Sequence, residues 1–304
     1  MTIATRTWVF ASTAVCVLAA AHASTGHVQQ VFRSRVSAVR LDVLVLDDGR
    51  PVPGLSASDF EVFDDGVRQE IAAAWAERTP IDVVFTLDHS ESVEGEVLER
   101  LKEAVRASLG AMREGDRAAV LTFSHLSRLD APMQSDRAAL ARAVDGVSAS
   151  GATSAVDGVH SALSITEGSG RRTLVLLFSD GFDNRSWLTP DEVVRAARES
   201  EVVICGVAFT PPAPDRRVRS PNLPPPPQLD LLRRLSEATG GEVVTIRGGR
   251  ELAPTFVRIL DTMRARYLLT YTPSGGEQKG WHEVRVRLTR RQGEVVVRPG
   301  YLVR

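Results

Sequence analysis

The stretch that most constrains this chain is an apolar run ending in one carboxylate and two hydroxyls. Residues 81–92 read IDVVFTLDHSES, so that Asp88 ends the run and Ser90 and Ser92 follow it. A short, continuous run rich in β-branched residues is typical of a strand buried on both faces of a parallel sheet. In such sheets ligands bind at the carboxyl ends of the strands, and Asp88 lies at the carboxyl end of this strand. Hard oxygen donors of this kind suit Mg²⁺.

Two later stretches are candidates to complete this set of donors. Residues 151–155 (GATSA) form a loop of small residues that opens a helical pattern and contains Thr153. Residues 173–178 (TLVLLF) form a second buried apolar strand, which runs into the tripeptide 179–181 with Asp180 at its centre. The sequence therefore predicts that three separate segments meet at one edge of the sheet.

The order of these motifs resembles the metal-ion-dependent adhesion site of von Willebrand factor A (VWA) domains: DxSxS, a Gly-x-Thr loop, and a strand ending in Ser-Asp-Gly. The resemblance covers residues 81–266 and is specific because three separated motifs fall in the family's order. It implies a metal held directly or through water by five residues, Asp88, Ser90, Ser92, Thr153 and Asp180. It also implies an open coordination position for the Asp or Glu carboxylate of a partner protein.

The donor types also indicate which ion to expect. Asp88 and Asp180 together contribute about −2, which balances Mg²⁺, and Mn²⁺ and Ca²⁺ are alternatives. Oxygen donors without thiolate or imidazole disfavour zinc. His89 lies between the proposed ligands, and we expect its side chain to point away from them because neighbours in an extended loop alternate. Asp88 taken alone could be a helix cap, and Asp180 taken alone could be part of a turn. Those two roles, however, do not explain why Thr153 also occupies its place in the middle motif.

Apolar runs and amphipathic segments alternate through the middle of the chain. This succession predicts an α/β fold with a doubly wound, mostly parallel sheet, similar to VWA and Rossmann-like domains. Strand patterns occupy residues 81–87, 118–123, 126–129, 173–178, 201–209 and 242–246. Helical patterns occupy residues 94–110, 136–147, 154–165, 229–239 and 251–266, and a further helix begins at Thr189 with a capping box.

Short strand patterns lie at both ends of the chain, and neither set is large enough for a core of its own. We therefore expect a small β-sandwich-like domain formed by N- and C-terminal strands, with the VWA domain inserted into it. The predicted boundaries are an N-terminal β segment at 24–78, a VWA domain at 79–266, and a C-terminal β segment at 267–304 that packs with 24–78. Two Asp-Asp-Gly sequences, at 47–49 and 64–66, predict turns rather than a calcium loop.

The first residues have the features of a signal peptide. Arg6 precedes an apolar run, and residues 21–23 (AHA) fit a small-x-small cleavage site, so residues 1–23 are predicted to be removed. The protein is then expected to be exported, to a periplasm or out of the cell, with no stable membrane span after cleavage. Cys205 would be the one remaining cysteine, and its place in a predicted buried strand favours a packing role.

Composition narrows the choice of function. The chain has 304 residues with a formal net charge of −1, which gives no electrostatic case for nucleic acid.

The favoured hypothesis is a module that binds a partner protein through the metal. The alternative is a metal-dependent hydrolase or phosphatase-like enzyme on the same fold, but Ser90 as nucleophile would need a base, and His89 is the only candidate in sequence. A nucleotide binder is disfavoured because no G-x-G-x-x-G follows the first strand.

Two further features have two interpretations each. Trp187 could be an exposed anchor for a partner, although we favour an apolar staple that packs onto the helix after Thr189. Residues 210–228 hold half of the chain's prolines and leave from the same sheet edge as the metal loops. They are either a tolerated insertion, which we favour, or a stiff wall beside the metal.

Overall fold

The computed structural model describes residues 38–75, 79–180, 183–210, 229–275 and 279–303. The predicted signal peptide and nearly all of the Pro-rich segment lie outside the described residues. The strands are β1 (Val39–Asp47), β2 (Arg50–Pro51), β3 (Phe60–Asp64), β4 (Val67–Gln69), β5 (Ile71–Trp75), β6 (Ile81–Asp88), β7 (Arg117–Phe123), β8 (Ser127–Gln134), β9 (Arg172–Ser179), β10 (Val203–Phe209), β11 (Val243–Ile246), β12 (Tyr267–Tyr271), β13 (Gly280–Leu288), β14 (Glu294–Val296) and β15 (Gly300–Val303). The α-helices are α1 (Glu96–Ala111), α2 (Arg137–Asp145), α3 (Ala155–Thr166), α4 (Pro190–Glu199), α5 (Asp230–Thr239) and α6 (Leu252–Ala265).

The central sheet has six strands in the order β11-β10-β9-β6-β7-β8. All neighbours are parallel except β8, which runs antiparallel to β7 at the edge. Successive residues of the buried strands pack on opposite faces, so that Val83 and Phe85 join a core with α1, α2 and α6, and Val84 joins a core with α3, α4 and α5. Helices therefore cover both faces, as the apolar runs predicted.

The order of the strands reverses between β6 and β9. From β6 the chain crosses through α1 to β7 on one side, whereas β9 lies on the other side of β6 and leads to β10. The crevice at such a reversal, beyond the carboxyl ends of the strands, is the usual ligand position in this class of sheet. Leu87 pairs with Phe178, so Asp88 and the residues after Phe178 emerge at the same edge.

Two smaller sheets combine strands from both ends of the described chain. One has the order β14-β1-β12-β5, with β2 also paired to β1, and the other has the order β15-β13-β3-β4. Their inner faces share a core that includes Leu41 and Tyr267 from the first sheet and Val62 and Val284 from the second. The predicted fold class, a doubly wound sheet with an additional β-sandwich-like part, is confirmed. The residue boundaries of the separate domains stay predictions.

An ion pair and hydrogen bonds join the smaller sheets to the edge of the central sheet at which its strands begin. The guanidinium of Arg172, at the start of β9, pairs with Asp42 of β1 at 2.5 Å. The same guanidinium donates to the carbonyls of Met263 and Arg266 at the end of α6. Arg298 donates in addition to the carbonyl of Arg198 at the end of α4. The β-sandwich-like part is thus held at the edge opposite to Asp88.

The predicted turns and the buried cysteine are present in the structure, and the predicted edge strand is longer than expected. Asp48 and Asp65 have φ of 47°, followed by glycines at 72° and 81°, which is the two-residue hairpin turn that Asp-Gly favours. The predicted edge strand at 126–129 is longer, running as β8 from Ser127 to Gln134. Cys205 is buried, as predicted. Among the described residues, no helix combines the length and the apolar character needed to cross a membrane.

Candidate metal centre

Asp88 is the last residue of β6, and its side chain is wholly withdrawn from solvent, with 0% of its surface exposed. One carboxylate oxygen, Oδ1, accepts hydrogen bonds from the backbone N–H of Ser90 at 2.9 Å and from its hydroxyl at 2.6 Å. The other, Oδ2, accepts from the hydroxyl of Ser179 at 3.1 Å. Ser90 Oγ also lies 3.0 Å from Ser92 Oγ. The carboxylate of Asp88 and the hydroxyls of Ser90 and Ser92 therefore lie in one hydrogen-bonded chain.

None of the groups that act most strongly on the pKa of Asp88 carries a positive charge. Burial raises the pKa of Asp88, the hydrogen bonds from Ser90 lower it, and the carboxylate of Asp180 raises it further, giving about 7. The hydroxyl of Ser179 also lowers the pKa of Asp88. Burial of an unpaired carboxylate costs free energy, which pairing with a cation would offset.

Asp180 follows β9 directly and is itself buried. Because Leu87 pairs with Phe178, Asp180 leaves the sheet at the same edge as Asp88, and its carboxylate is among the groups that raise the pKa of Asp88. The prediction that the strand ends deliver two acidic residues to one place is therefore supported by the arrangement of the fold. Two like charges at one buried position repel unless a cation lies between them.

Thr153 lies in the loop before α3, and this loop contacts the DxSxS segment through the backbone. Ser150 N–H donates to the carbonyl of His89 at 2.8 Å, and Glu91 N–H donates to the carbonyl of Gly151 at 3.0 Å. Ser154 donates through both its amide and its hydroxyl to the carbonyl of Ser124. The loop with Thr153 is thus fixed between the ends of β6 and β7.

The segment 183–188 closes the other side of this loop. Thr153 O accepts from the N–H groups of Asn184 and Arg185, and Thr153 N–H donates to Asn184 Oδ1 at 3.2 Å. Asp183 Oδ2 accepts from Val156 N–H at 2.8 Å in the first turn of α3. Asp183 and Asn184 therefore hold Thr153 and the first turn of α3 in place.

Ser179 is a functional candidate outside the set predicted from the sequence. Its hydroxyl reaches Asp88 Oδ2, whereas the predicted set took only Asp180 from this strand end. The sequence feature that indicates this role is the position of Ser179 as the last residue of a buried strand, because a buried polar side chain needs a hydrogen-bond partner nearby. Ser179 therefore orients the carboxylate on which the predicted set depends.

The histidine beside the serines is turned toward the neighbouring loop. His89 is buried, and its Nδ1 lies 2.8 Å from the carbonyl of Ser148. Because a carbonyl only accepts hydrogen bonds, Nδ1 carries the proton. Its backbone N–H donates to the carbonyl of Phe123. The ring thus fastens the loop with Thr153 to the DxSxS segment.

Trp187 does not form the predicted apolar staple, because 94% of its side chain is exposed. The neighbouring residue, Leu188, packs on the core under α3 and α4 instead. Asp157 accepts the N–H groups of both Trp187 and Leu188, at 3.0 and 3.1 Å. This fixed backbone directs Leu188 inward and Trp187 outward.

A second group of potential metal ligands lies in the β-sandwich-like part. Asp64, Asp65 and His282 bring one ligand atom each to within 4.8 Å of the others. His282 Nδ1 lies 2.9 Å from Asp64 Oδ1 and 3.2 Å from Asp65 Oδ2. Asp64 Oδ2 accepts from the phenols of Tyr271 and Tyr301, at 2.9 and 2.7 Å. Hydrogen-bond donors of the protein thus already engage both oxygens of Asp64.

Residues 82–222 match the family model of the von Willebrand factor type A domain. The fold is similar to that of a von Willebrand factor type A protein from Catenulispora acidiphila, with a TM-score of 0.52 and 17% identity over 84% of this chain and 74% of that one. It is also similar to proximal thread matrix protein 1 of the mussel byssus with a zinc-occupied MIDAS motif, with a TM-score of 0.50 and 18% identity over 66% and 49% of the two chains.

A curated relative is an uncharacterised protein of Synechocystis sp., 33% identical over 84 residues. The match covers 27% of this chain and 20% of that protein, so the chain spans about a fifth of the relative's length. The family model covers β6 to β10, the strands whose carboxyl ends carry Asp88 and Asp180, and the solved structures share the fold around them. Residues 82–222 of this chain match the von Willebrand factor type A domain family, and the sheet that contains them has the fold seen in the similar solved structures.

Proposed function

We propose that this protein is an exported binding module that holds a partner protein through a divalent metal ion at the carboxyl edge of its central sheet. Asp88, Ser90, Ser92, Thr153 and Asp180 would hold the ion, directly or through water. The ion would leave one position for an Asp or Glu carboxylate of the partner. Mg²⁺ is the expected ion, with Mn²⁺ and Ca²⁺ as alternatives.

The observation that carries the proposal is the environment of Asp88. This carboxylate is completely buried and lies close to a second carboxylate, and the groups acting most strongly on it are uncharged or negative. A divalent ion would neutralise both acidic residues, and the hydroxyls of Ser90 and Ser92 lie where they could add neutral oxygen donors. The residues present therefore fit a hard divalent ion better than they fit a metal-free state.

One of the structurally similar proteins holds a metal ion. The MIDAS motif of the mussel byssus protein is occupied by zinc. That finding concerns the mussel protein, and it supports the expectation that a sheet of this architecture can hold a divalent ion. In the present chain the proposed donors are all oxygens, the ligand type that suits magnesium, whereas zinc sites in proteins are typically built with thiolate or imidazole.

Binding rather than catalysis is favoured by the position of His89. A serine nucleophile requires a base within hydrogen-bond reach. The histidine adjacent to Ser90 directs its Nδ1 to the carbonyl of Ser148, and Ser90 donates its hydroxyl proton to Asp88. The bond from Ser90 orients Asp88 for a cation, and it does not form a Ser–His pair.

Calorimetric titration of the EDTA-treated, dialysed protein with Mg²⁺ and Mn²⁺ tests the metal. We expect one equivalent to bind, and we expect Asp180→Asn to weaken the affinity by about 100-fold or more. Asp191→Asn is the matched control, because it makes the same charge change on the exposed surface of α4 and should leave the affinity unchanged. Equal metal affinity in Asp180→Asn and wild type would refute the site.

Affinity capture from the native envelope fraction, with Mg²⁺ or with EDTA, tests the partner. A protein retained by wild type in Mg²⁺, released by EDTA and not retained by Asp180→Asn would support the proposal. Replacing the acidic residues of the captured protein one at a time should identify the carboxylate. Hydrolysis of phosphoesters that survives purification and is lost with Asp88→Asn would instead support the enzyme.

A further inference from the structure

A short segment that follows Asp180 takes both polar backbone atoms of Thr153. The carbonyl of Thr153 accepts the N–H groups of Asn184 and Arg185, at 3.0 and 3.1 Å. The N–H of Thr153 donates to Oδ1 of the Asn184 side chain at 3.2 Å. Thr153 is buried, so its N–H would lack an acceptor if that side chain were removed. The amide of Asn184 therefore closes a ring of hydrogen bonds around a proposed metal ligand.

The carboxylate of Asp183 fastens the same segment to the start of α3. Its Oδ2 accepts the N–H of Val156 at 2.8 Å, in the first turn of the helix. Ser154, the residue before the helix, makes no capping bond with its side chain. Asp183 therefore caps α3 from a position 27 residues further along the chain, and a carboxylate suits the positive end of the helix dipole.

Hydrogen bonds occupy both oxygens of Asp183. Oδ1 accepts the N–H groups of Arg185 and Ser186, at 3.3 and 3.1 Å. Oδ2 accepts the hydroxyl of Ser186 at 2.6 Å in addition to the N–H of Val156. A carboxylate with four donors is satisfied without a cation, so the structure assigns Asp183 to the support of the loop rather than to the ion.

Thr153 is tied more closely to the segment after Asp180 than to the DxSxS segment. The bonds to the DxSxS segment reach the loop at residues 148–151, ahead of Thr153. The bonds to the backbone of Thr153 come from residues 184 and 185, which follow Asp180 by only four and five positions. The two proposed ligands Thr153 and Asp180 are therefore held with respect to each other by this segment.

The accuracy with which a ligand is held matters more for one ion than for another. Mg²⁺ demands a near-octahedral shell at about 2.0–2.1 Å, whereas Ca²⁺ accepts about six to eight oxygens at about 2.3–2.6 Å in flexible arrangements. A displaced ligand therefore costs Mg²⁺ more affinity than it costs Ca²⁺. Contacts that orient the ligands of a metal typically change its affinity by about 10–100-fold.

We propose that Asn184, with Asp183, is a positioning residue that makes the proposed centre prefer Mg²⁺ to Ca²⁺ by holding Thr153 in one place relative to Asp180. The inference rests on the proposed function, because it concerns the same ion. Asn184 acts through Thr153, since its Oδ1 is engaged by the N–H of that residue. The competing role is a purely structural one, in which the segment stabilises α3 and has no effect on the choice of ion.

Calorimetric titration of the EDTA-treated, dialysed full chain with Mg²⁺ and with Ca²⁺ tests this role through the ratio of the two Kd values. We expect Asn184→Ala to weaken Mg²⁺ binding by about 30-fold and Ca²⁺ binding by about threefold, so that the preference falls by about tenfold. Asn184→Asp keeps an oxygen that accepts from Thr153. Its added charge should strengthen the binding of both ions and leave the preference within about threefold of wild type.

Ser186→Ala is the matched control, because it removes bonds of the same segment while Thr153 keeps its own. The hydroxyl of Ser186 donates to Asp183 and accepts the N–H of Asp157 at 3.2 Å. We expect this variant to unfold at lower urea concentration than wild type and to keep the ion preference. Circular dichroism checks that each variant is folded during titration. If Asn184→Ala is not folded, Asn184→Gln, which moves the acceptor by one methylene, takes its place with the same expectation.

The outcomes separate the positioning role from the metal centre. If wild type binds neither ion, both proposals fail. If wild type binds Mg²⁺ but Asn184→Ala keeps the ion preference, or weakens both ions equally, the positioning role is refuted and the metal centre stands. An equal fall in preference in Ser186→Ala would show a general loosening and would also refute it. Loss of binding in folded Asp183→Asn as complete as in Asp180→Asn would make Asp183 a ligand and overturn its assignment.

Discussion

Asp64 and Asp88 are both acidic residues withdrawn from solvent, with 4% and 0% of their surfaces exposed, yet their neighbours differ completely. Asp64 is surrounded by His282, Tyr271 and Tyr301, three donors on three different strands. Burial and the neighbouring Asp64 raise the pKa of both phenols, so they stay protonated donors. Every oxygen of Asp64 is satisfied by the protein itself.

Asp88 is also hydrogen-bonded, but its donors are serine groups, from Ser90 in the loop after β6 and from Ser179 at the end of β9, and its charged neighbour is Asp180. The two regions therefore use buried carboxylates for different purposes. The network around Asp64 is complete and joins the strands of the β-sandwich-like part. The arrangement around Asp88 is short of positive charge, which is the property expected of a site that binds a cation.

The largest expected effect is the loss of stability on Asp64→Asn. An amide would direct an NH₂ group toward a phenol or imidazole that already donates, so at least one buried donor would lose its acceptor. We expect the free energy of unfolding in EDTA to fall by about 3–5 kcal/mol, as for other broken buried charged networks. Urea denaturation followed by circular dichroism measures this.

The same variant also tests whether Asp64, Asp65 and His282 bind a metal. We expect Asp64→Asn to bind as many equivalents of Mg²⁺ or Mn²⁺ as wild type at a temperature where it is folded. Loss of one equivalent, together with unchanged stability in EDTA, would show that this cluster is a metal centre and would remove the contrast with Asp88.

Asp116 provides an intermediate case, a buried carboxylate with a fixed cation. It accepts the N–H groups of Ile81 and Arg113 and pairs with Arg264 at 2.9 Å. Burial raises the pKa of Asp116, but these donors outweigh burial, and the net pKa is lowered. We expect Asp116→Asn to cost about 2–3 kcal/mol near neutral pH, because Arg264 would keep a buried charge with a weaker partner.

The pH dependence of this cost has a definite sign. Because the folded pKa of Asp116 lies below the unfolded value of about 4, the unfolded chain takes up the proton first as the pH falls. The stabilisation is therefore complete above pH 4 and is lost as the pH falls through the folded pKa, so wild type and Asp116→Asn converge in acid. Asp145→Asn, which removes an exposed ion pair with Arg106, should cost less than about 1 kcal/mol. A cost for Asp116→Asn that stays constant down to pH 3 would contradict the assignment.

The comparison also shows which features could be predicted from sequence. The apolar runs of β6 and β9 determine a buried parallel sheet, and their last residues determine what reaches its edge, so the fold class and the convergence of Asp88 and Asp180 follow from local patterns. The Asp-Gly turns at 48–49 and 65–66 follow for the same reason. The ligand roles of the five metal-site residues stay predictions.

Features that depend on contacts between distant residues could not be predicted. Trp187 is exposed because Asp157, which precedes it by 30 residues, fixes its backbone, and nothing in the capping sequence around Thr189 reports that contact. The pair of Asp64 and His282 spans 218 residues and depends on how strands from the two ends align. Periodicity predicts that such strands exist, but it does not predict which side chains face each other across sheets.

The effect expected of Asp88→Asn is smaller than those of Asp64→Asn and Asp116→Asn, but as a gain in stability it is the sharpest test of the comparison. Asp88→Asn removes a charge that is buried beside Asp180, and the amide keeps an oxygen that can accept from Ser90. In EDTA we expect the variant to be more stable than wild type by about 1–2 kcal/mol, since sites that hold a ligand often carry a stability cost. Thermal and urea denaturation in EDTA and in millimolar Mg²⁺ measure both states.

Added Mg²⁺ should reverse this order, because an ion that binds only the folded wild type stabilises it by mass action and Asp88→Asn binds the ion poorly. Asp64→Asn serves as the control, because it should be less stable than wild type under both conditions. If Asp88→Asn loses as much stability in EDTA as Asp64→Asn does, then Asp88 is a structural acceptor like Asp64. The serine hydroxyls around it would in that case complete a hydrogen-bond network, and the case for a cation at this edge would fail.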